Sequence, residues 1–76
     1  MPEMIEIKDS LTVKAAGYDS AESRFYVEFR TGEIRAYLDV PQEVADKFYA
    51  SPTKAAFIVR RIIGRYEYTQ LNGQAE

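Results

Sequence analysis

The side chains that most often carry enzyme chemistry are scarce in this sequence. Its 76 residues include no His and no Cys, which removes the commonest general base, the thiolate nucleophile and the usual zinc ligands. Ser51 precedes Lys54 by three residues, the spacing of a Ser-x-x-Lys nucleophile motif. Ser51-Pro52 is better explained as the start of a helix. We therefore expect a protein without catalytic activity, metal ion or small-molecule cofactor.

The residues best suited to bind a ligand form a basic segment in the second half of the chain. Residues 47–76 hold five bases and two acids, a net charge of +3, whereas residues 1–46 hold five bases and ten acids, a net charge of −5. Cations contact phosphate groups and aromatic rings stack on bases. The segment is therefore a candidate nucleic-acid interface, made of Lys54, Phe57, Arg60, Arg61, Arg65 and Tyr66.

A structural alternative exists for this basic segment. On a helical projection the apolar residues Ala55, Ala56, Ile58, Val59, Ile62 and Ile63 share one arc. The bases would then solvate the outer face of an ordinary helix, and Phe57 would pack on the preceding helix. Arginine near a helix C-terminus also complements the helix dipole.

A second candidate surface is rich in tyrosine. The pairing predicted below places Tyr18, Tyr26 and Tyr37 on the outer sheet face, with Lys14 and Arg35 nearby. Such a surface suits a protein partner or a second copy of the chain, because Tyr and Arg are enriched at interfaces. Coverage of this face by the terminal segments is the alternative. The candidate protein-interaction residues are Tyr18, Tyr26, Arg35 and Tyr37.

The segment 24–41 organises the predicted sheet. Apolar residues alternate with polar ones on both sides of Thr31-Gly32, which is typical of a β-hairpin with one buried face. A two-residue loop at Thr31-Gly32 would place three pairs in the core: Phe25–Leu38, Val27–Ala36 and Phe29–Ile34. The outer face would carry the pairs Tyr26–Tyr37, Glu28–Arg35 and Arg30–Glu33.

One strand is predicted before this hairpin. Alternation over Ser10–Tyr18, followed by a turn at residues 19–23, predicts a strand paired with residues 24–29. The predicted core pairs are Val13–Phe29 and Ala15–Val27, and Lys14 would lie opposite Glu28. Residues 1–9 are expected to be a lead-in segment with a short edge strand.

The apolar period changes to that of a helix after Val40. Pro41 is predicted at the first helical position, before an apolar stripe of Val44, Ala45, Phe48 and Tyr49. Ala50-Ser51-Pro52 interrupts the stripe. Ser51 as N-cap and Pro52 as the next residue predict a second helix that runs to about Ile63, with Gly64 as its C-cap glycine.

These elements predict a single α+β domain over residues 10–71. It is a three-stranded antiparallel meander followed by two short helices, arranged in two layers. Alternation over residues 66–71 leaves room for a short final strand, and residues 72–76 are expected to be a flexible tail. The chain has no apolar run of membrane-spanning length, and its N-terminus lacks the pattern of a signal peptide. A cytoplasmic protein is expected.

Several short motifs also occur in a characteristic order. They are Ser10 with Val13, Gly17-Tyr18-Asp19, Val27-x-Phe29-x-x-Gly32, Tyr37-x-x-Val40-Pro41, Val44, Ala50-Ser51, Phe57 and Gly64-Arg65-Tyr66. Together they resemble the KTSC domain, a module found at the carboxy end of some lysyl-tRNA synthetases and as stand-alone bacterial and phage proteins. The resemblance covers residues 10–68, and its tRNA-synthetase context implies RNA binding.

The chain departs from this family pattern at three positions. Arg35 stands at the first position of a Tyr-x-Tyr motif in the third strand, of which only Tyr37 remains. Ile58 and Ile63 stand where family members tend to carry Asn and Arg. If those polar residues contact a ligand in the family, this chain has lost part of that site.

Overall fold

The computed structural model describes residues 2–72, which form a five-stranded antiparallel sheet and two helices. The strands follow chain order across the sheet: β1 (Ile5–Glu6), β2 (Val13–Asp19), β3 (Arg24–Phe29), β4 (Ile34–Tyr37) and β5 (Tyr68–Gln70). Between β4 and β5 lie α1 (Gln42–Ala50) and α2 (Lys54–Phe57). The second helix continues directly into a π-helical segment, Ile58–Ile62. The predicted α+β class, meander, two helices and final strand are confirmed.

The hairpin between β3 and β4 has a three-residue loop instead of the predicted two. The Phe29 N–H donates to the Glu33 carbonyl at 2.8 Å, and the Gly32 N–H donates to the Phe29 carbonyl at 2.9 Å. Gly32 has a φ of +99°, a conformation that glycine adopts without strain. Both common two-residue loops instead require a positive φ at the first central position, which disfavours β-branched Thr31.

This loop length changes the register, and the predicted pairs of this hairpin are wrong. The observed pairs are Phe25–Tyr37, Tyr26–Ala36, Val27–Arg35 and Glu28–Ile34. A shift of one residue moves every side chain of a strand to the opposite face of the sheet. Arg35 and Tyr37 therefore lie on the same face as Val27 and Phe25, which is the face that the helices cover.

The pairing between β2 and β3 agrees with the prediction only at Val13–Phe29. A β-bulge between Val13 and Ala15 inserts one extra residue, so that Ala16, not Ala15, lies opposite Val27. Beyond the bulge Tyr18 pairs with Phe25, which places Tyr18 on the helix-covered face. Lys14 still contacts Glu28, with a Nζ–Oε2 distance of 3.7 Å.

The core lies between this face of the sheet and the helices. The ring of Phe48 on α1 meets the ring of Phe25 edge to face, at a centroid distance of 4.9 Å. Pro41 occupies the N-cap position of α1, so the helix starts one residue later than predicted. The buried residues of the core cluster are Ile7, Val13, Ala16, Phe25, Val27, Phe29, Tyr37, Val40, Phe48, Ile58 and Ile62.

The segment before β1 lies against the opposite face of the sheet. A Cβ on Gly17 would collide with the carbonyl oxygen of Glu3 and crowd the sulfur of Met4, so only glycine permits this close approach. Residues 2–9, which were predicted as a lead-in segment, thus contact Gly17, form β1 and contribute buried Ile7 to the core. Of the predicted tail, Asn72 bonds to the β3–β4 hairpin, and residues 73–76 lie outside the described residues.

Within residues 2–72, the structure contains no helix with the length and apolar character needed to cross a membrane.

Candidate functional site

The helix of the basic segment, α2, begins at Lys54, two residues later than predicted. Thr53 occupies the N-cap position, and the Ser51 hydroxyl oxygen accepts a hydrogen bond from the Thr53 N–H at 3.1 Å. Pro52 therefore precedes the helix. The Lys54 ammonium donates to the backbone carbonyl of Ser51 at 2.8 Å. The prediction that Ser51 is the N-cap and Pro52 the first helical residue is wrong, because the helix begins only after Thr53.

The π-helical segment sets which side chains of this region are exposed. The Ile63 N–H bonds to the Ile58 carbonyl at 2.9 Å, five residues back instead of four. Ile58 and Ile62 are fully buried as predicted, whereas Val59 is 54% exposed. The prediction for Val59 is wrong because it assumed a regular α-helix, and the wider turn carries this residue out of the apolar arc.

The helix ends close to the predicted position, in a tight turn. Ile63 has φ −68° and ψ 127°, and Gly64 has φ +80°. With the Arg65 N–H bonded to the Ile62 carbonyl at 3.1 Å, these angles describe a type II turn. The turn directs the chain from the helix layer back to the sheet and places Arg65 at the surface between the two.

Three arginines of the basic segment, Arg60, Arg61 and Arg65, are exposed; we refer to them as the arginine segment. Within residues 2–72, none of them has a carboxylate oxygen within 4.0 Å. Two arginines earlier in the chain differ. Arg30 donates to the carbonyls of Ile7 and Ser10, and Arg35 forms a salt bridge with Glu33. The arginine segment therefore retains its hydrogen-bond donors for a ligand.

The other three predicted RNA-binding residues, Lys54, Phe57 and Tyr66, are half-buried. Phe57 lies 5.9 Å from the ring of Phe48, and the guanidinium of Arg61 lies over its ring at 5.4 Å. Phe57 and Tyr66 both pack against the core cluster. The packing of Phe57 on α1 is the structural alternative considered for this segment, and it leaves little of the ring for a base.

The predicted tyrosine-rich surface is not formed as one exposed face. Tyr37 is fully buried and Tyr26 is 7% exposed. The Tyr18 hydroxyl donates to the Val40 carbonyl at 2.6 Å. Tyr18, Arg35 and Tyr37 lie on the helix-covered face, and Tyr26 lies on the other. The prediction fails because the loop length and the bulge each shift the register by one residue.

Arg35, the second residue of β4, is the centre of a polar and aromatic cluster. Its Nε donates to Glu33 at 2.7 Å and its Nη1 donates to the Tyr37 hydroxyl at 3.0 Å. Its guanidinium lies 4.8 Å from the ring centroid of Phe29 and 4.3 Å from that of Tyr68. The bond to Glu33 raises the pKa of Arg35 above its usual value.

Tyr68 is the residue of this region that the sequence predictions missed. It is 46% exposed although it contacts Arg35. The alternation over residues 66–71 indicated a strand there, but the face on which Tyr68 lies follows from the register of β5 on β4.

A groove of about 420 Å³ lies between residues 6–9 and residues 52–56. Charges of both signs line it, with Glu6 and Asp9 on one hand and Lys8 and Lys54 on the other. This mixture favours no particular class of ligand.

The comparisons with known proteins agree with this architecture. The family model of the KTSC domain matches residues 9–66, which is more than half of the chain. The chain belongs to the KTSC domain family. The resemblance noted in the sequence is thereby confirmed. The matched range of this KTSC domain runs from the segment before β2 to the turn after the π-helical segment, so β1 and β5 lie outside it.

This KTSC domain is similar to one protein in sequence and to one solved structure in fold. A protein of Tsukamurella paurometabola is 36% identical over 50 residues, which cover 66% of this chain and 75% of that protein. The crystal structure of a KTSC domain protein from Yersinia pestis has a TM-score of 0.80 at 21% identity, covering 92% of this chain and 97% of that one. At this identity the second likeness shows the fold alone.

Proposed function

We propose that this KTSC domain is a non-catalytic RNA-binding module that contacts phosphate groups through the arginine segment. The proposal rests on the exposure of Arg60, Arg61 and Arg65 and on the charges around them. All three are exposed, and within residues 2–72 no carboxylate lies within salt-bridge distance of them. Guanidinium groups match phosphate geometry and bind it in a bidentate manner.

The charge distribution supports an interface confined to this part of the surface. No acidic residue occurs in residues 47–66, although the chain as a whole has a net charge of −2. The overall charge argues against indiscriminate binding of nucleic acid, so attraction should be local. If each of the three arginines neutralises one phosphate, log K should fall with log salt at a slope of about −2 for a single strand. A slope of about −2 corresponds to a loss of affinity of about 20-fold when salt rises from 50 to 200 mM.

Fluorescence anisotropy with a labelled single-stranded RNA of about 12 nucleotides tests this proposal. The variant carries Arg60→Glu and Arg61→Glu. Its matched control carries Lys14→Glu and Lys47→Glu, which alters the net charge by the same amount at side chains that are 56% and 57% exposed. We expect the arginine variant to lose about tenfold or more in affinity at 50 mM salt and the control to stay within about twofold of the wild type.

Two results would count against the proposal. Equal losses in the arginine variant and the lysine control would show that overall charge, and no local interface, governs binding. A wild-type protein that binds no RNA at 50 mM salt would rule out the function itself. Circular dichroism spectra of both variants check that the fold is intact.

A further inference from the structure

Tyr68 offers the most accessible aromatic ring beside the arginine segment. It pairs with Tyr37 in the register of β4 and β5, so its side chain lies on the helix-covered face of the sheet. The Arg35 guanidinium lies 4.3 Å from its ring centroid and the Tyr37 ring lies 5.2 Å away. These contacts hold the ring in place, yet Tyr68 remains 46% exposed. A fixed and exposed ring is the arrangement that base stacking requires.

The neighbours of Tyr68 on the same face suit a nucleotide. Gln70 lies opposite Arg35 in the register and thus shares this face. Side chains alternate along a strand, so Thr69 points to the other face. The acidic group next to the Arg35 guanidinium is Glu33, and its carboxylate is paired with Arg35 Nε at 2.7 Å.

Tyr68 is also held close to the arginine segment. Two residues, Tyr66 and Glu67, separate it from Arg65, so the two Cα atoms lie at most about 11 Å apart when the chain is fully extended. The Arg65 N–H is bonded to the Ile62 carbonyl, and the Glu67 carbonyl is bonded to the Leu38 N–H. Both ends of this connection are thus fixed, and one RNA strand can reach the ring and the guanidinium of Arg65.

We propose that Tyr68 is the base-stacking residue of the RNA interface and that the ligand is single-stranded RNA. This inference rests on the proposed function and specifies its substrate class. A base within a duplex is stacked between its neighbours, so only an unpaired base can place its face on Tyr68. Phe57 and Tyr66, the aromatic residues predicted for this role, pack against the core instead.

The test compares two strands of the same length and charge, one with normal bases and one with abasic sites throughout. The wild type should bind the base-containing strand about fivefold or more tightly than the abasic strand. Tyr68→Leu should abolish this preference and leave the affinity for the abasic strand unchanged. Tyr68→Phe, which keeps the ring, should retain the preference. Tyr49→Leu serves as a matched control because Tyr49 is 41% exposed on α1, and it should also retain the preference.

The outcomes separate this inference from the proposed function. Equal binding of both strands by the wild type, or a preference that survives Tyr68→Leu, would overturn the role of Tyr68. Salt-dependent binding through the arginine segment would remain in either case. Failure to bind either strand would overturn both proposals together. Binding of a perfectly paired RNA duplex as tightly as the single strand would overturn the assigned substrate class.

Discussion

The substitution Arg35→Met tests the register in which β4 pairs with β3. In the register predicted from sequence, Arg35 is a surface residue opposite Glu28. In the structure it lies on the helix-covered face, bonded to Glu33 and to the buried Tyr37 hydroxyl, with two aromatic rings against it. Methionine preserves much of the side-chain volume and removes the charge.

The expected cost can be assembled from these contacts. The partly exposed salt bridge with Glu33 contributes about 1 kcal/mol or less. The two cation–π contacts contribute about 0.5–1 kcal/mol each. Loss of the partner of Tyr37, which is fully buried, leaves a hydroxyl unsatisfied at a cost of about 1–3 kcal/mol. Contacts of the methionine sulfur with the rings of Phe29 and Tyr68 recover about 1 kcal/mol. The net destabilisation should be about 3 kcal/mol.

Urea denaturation followed by circular dichroism measures this free energy, and thermal denaturation should show a melting temperature lower by about 12–24 °C. Glu28→Gln is the matched control, because Glu28 contacts Lys14 at a long distance of 3.7 Å on a partly exposed surface and should cost less than about 0.5 kcal/mol. If Arg35→Met also costs less than 0.5 kcal/mol, or if Glu28→Gln costs more than Arg35→Met, the reasoning about the register is refuted.

Two further predictions concern the backbone. Deletion of exposed Val59 should convert the π-helical segment into α-helix and change the free energy of unfolding by no more than about 1 kcal/mol, because Ile58 and Ile62 would then lie three residues apart on one face. Deletion of Ile58 produces the same shortened chain with Val in place of Ile at that buried position, and should cost about 0.5–1.5 kcal/mol more. Backbone chemical shifts and urea denaturation check both, and unfolding on loss of Val59 would contradict this view of the segment. Gly17→Ala should lower the free energy of local opening over residues 3–7 by about 1 kcal/mol or more. Hydrogen exchange measures it, and unchanged protection there would show that the approach of Glu3 is not essential.

The elements of this fold were predictable from local signals, whereas the register was not. Alternation, Pro41 and the break at residues 50–52 sufficed to predict the strands and helices, because each of these signals acts on its own neighbours. The register depends on whether the hairpin loop holds two or three residues. The β-branched Thr31 disfavours the two-residue loop, and a three-residue loop gives the observed pairing.

The candidate site was predictable in part for similar reasons. The exposure of Arg60, Arg61 and Arg65 followed from composition, since an acid-free basic segment seldom enters a core. The bulge at Lys14 and the π-helical segment each insert one residue into a regular element, and nothing in the local sequence marks either insertion. Because neither the bulge nor the loop length was predicted, Tyr18 and Tyr37 were assigned to the wrong face of the sheet. Without the register of β5, Tyr68 could not be assigned to a face.

The central claim of RNA binding is tested most directly by an amide-resolved NMR titration of the wild type with single-stranded RNA at 50 and 200 mM salt. The account predicts shifts confined to residues 58–70 at the lower salt concentration, led by the arginine segment and Tyr68, and weaker shifts at the higher one. No shifts at the lower salt concentration, or shifts centred elsewhere that do not respond to salt, would contradict it.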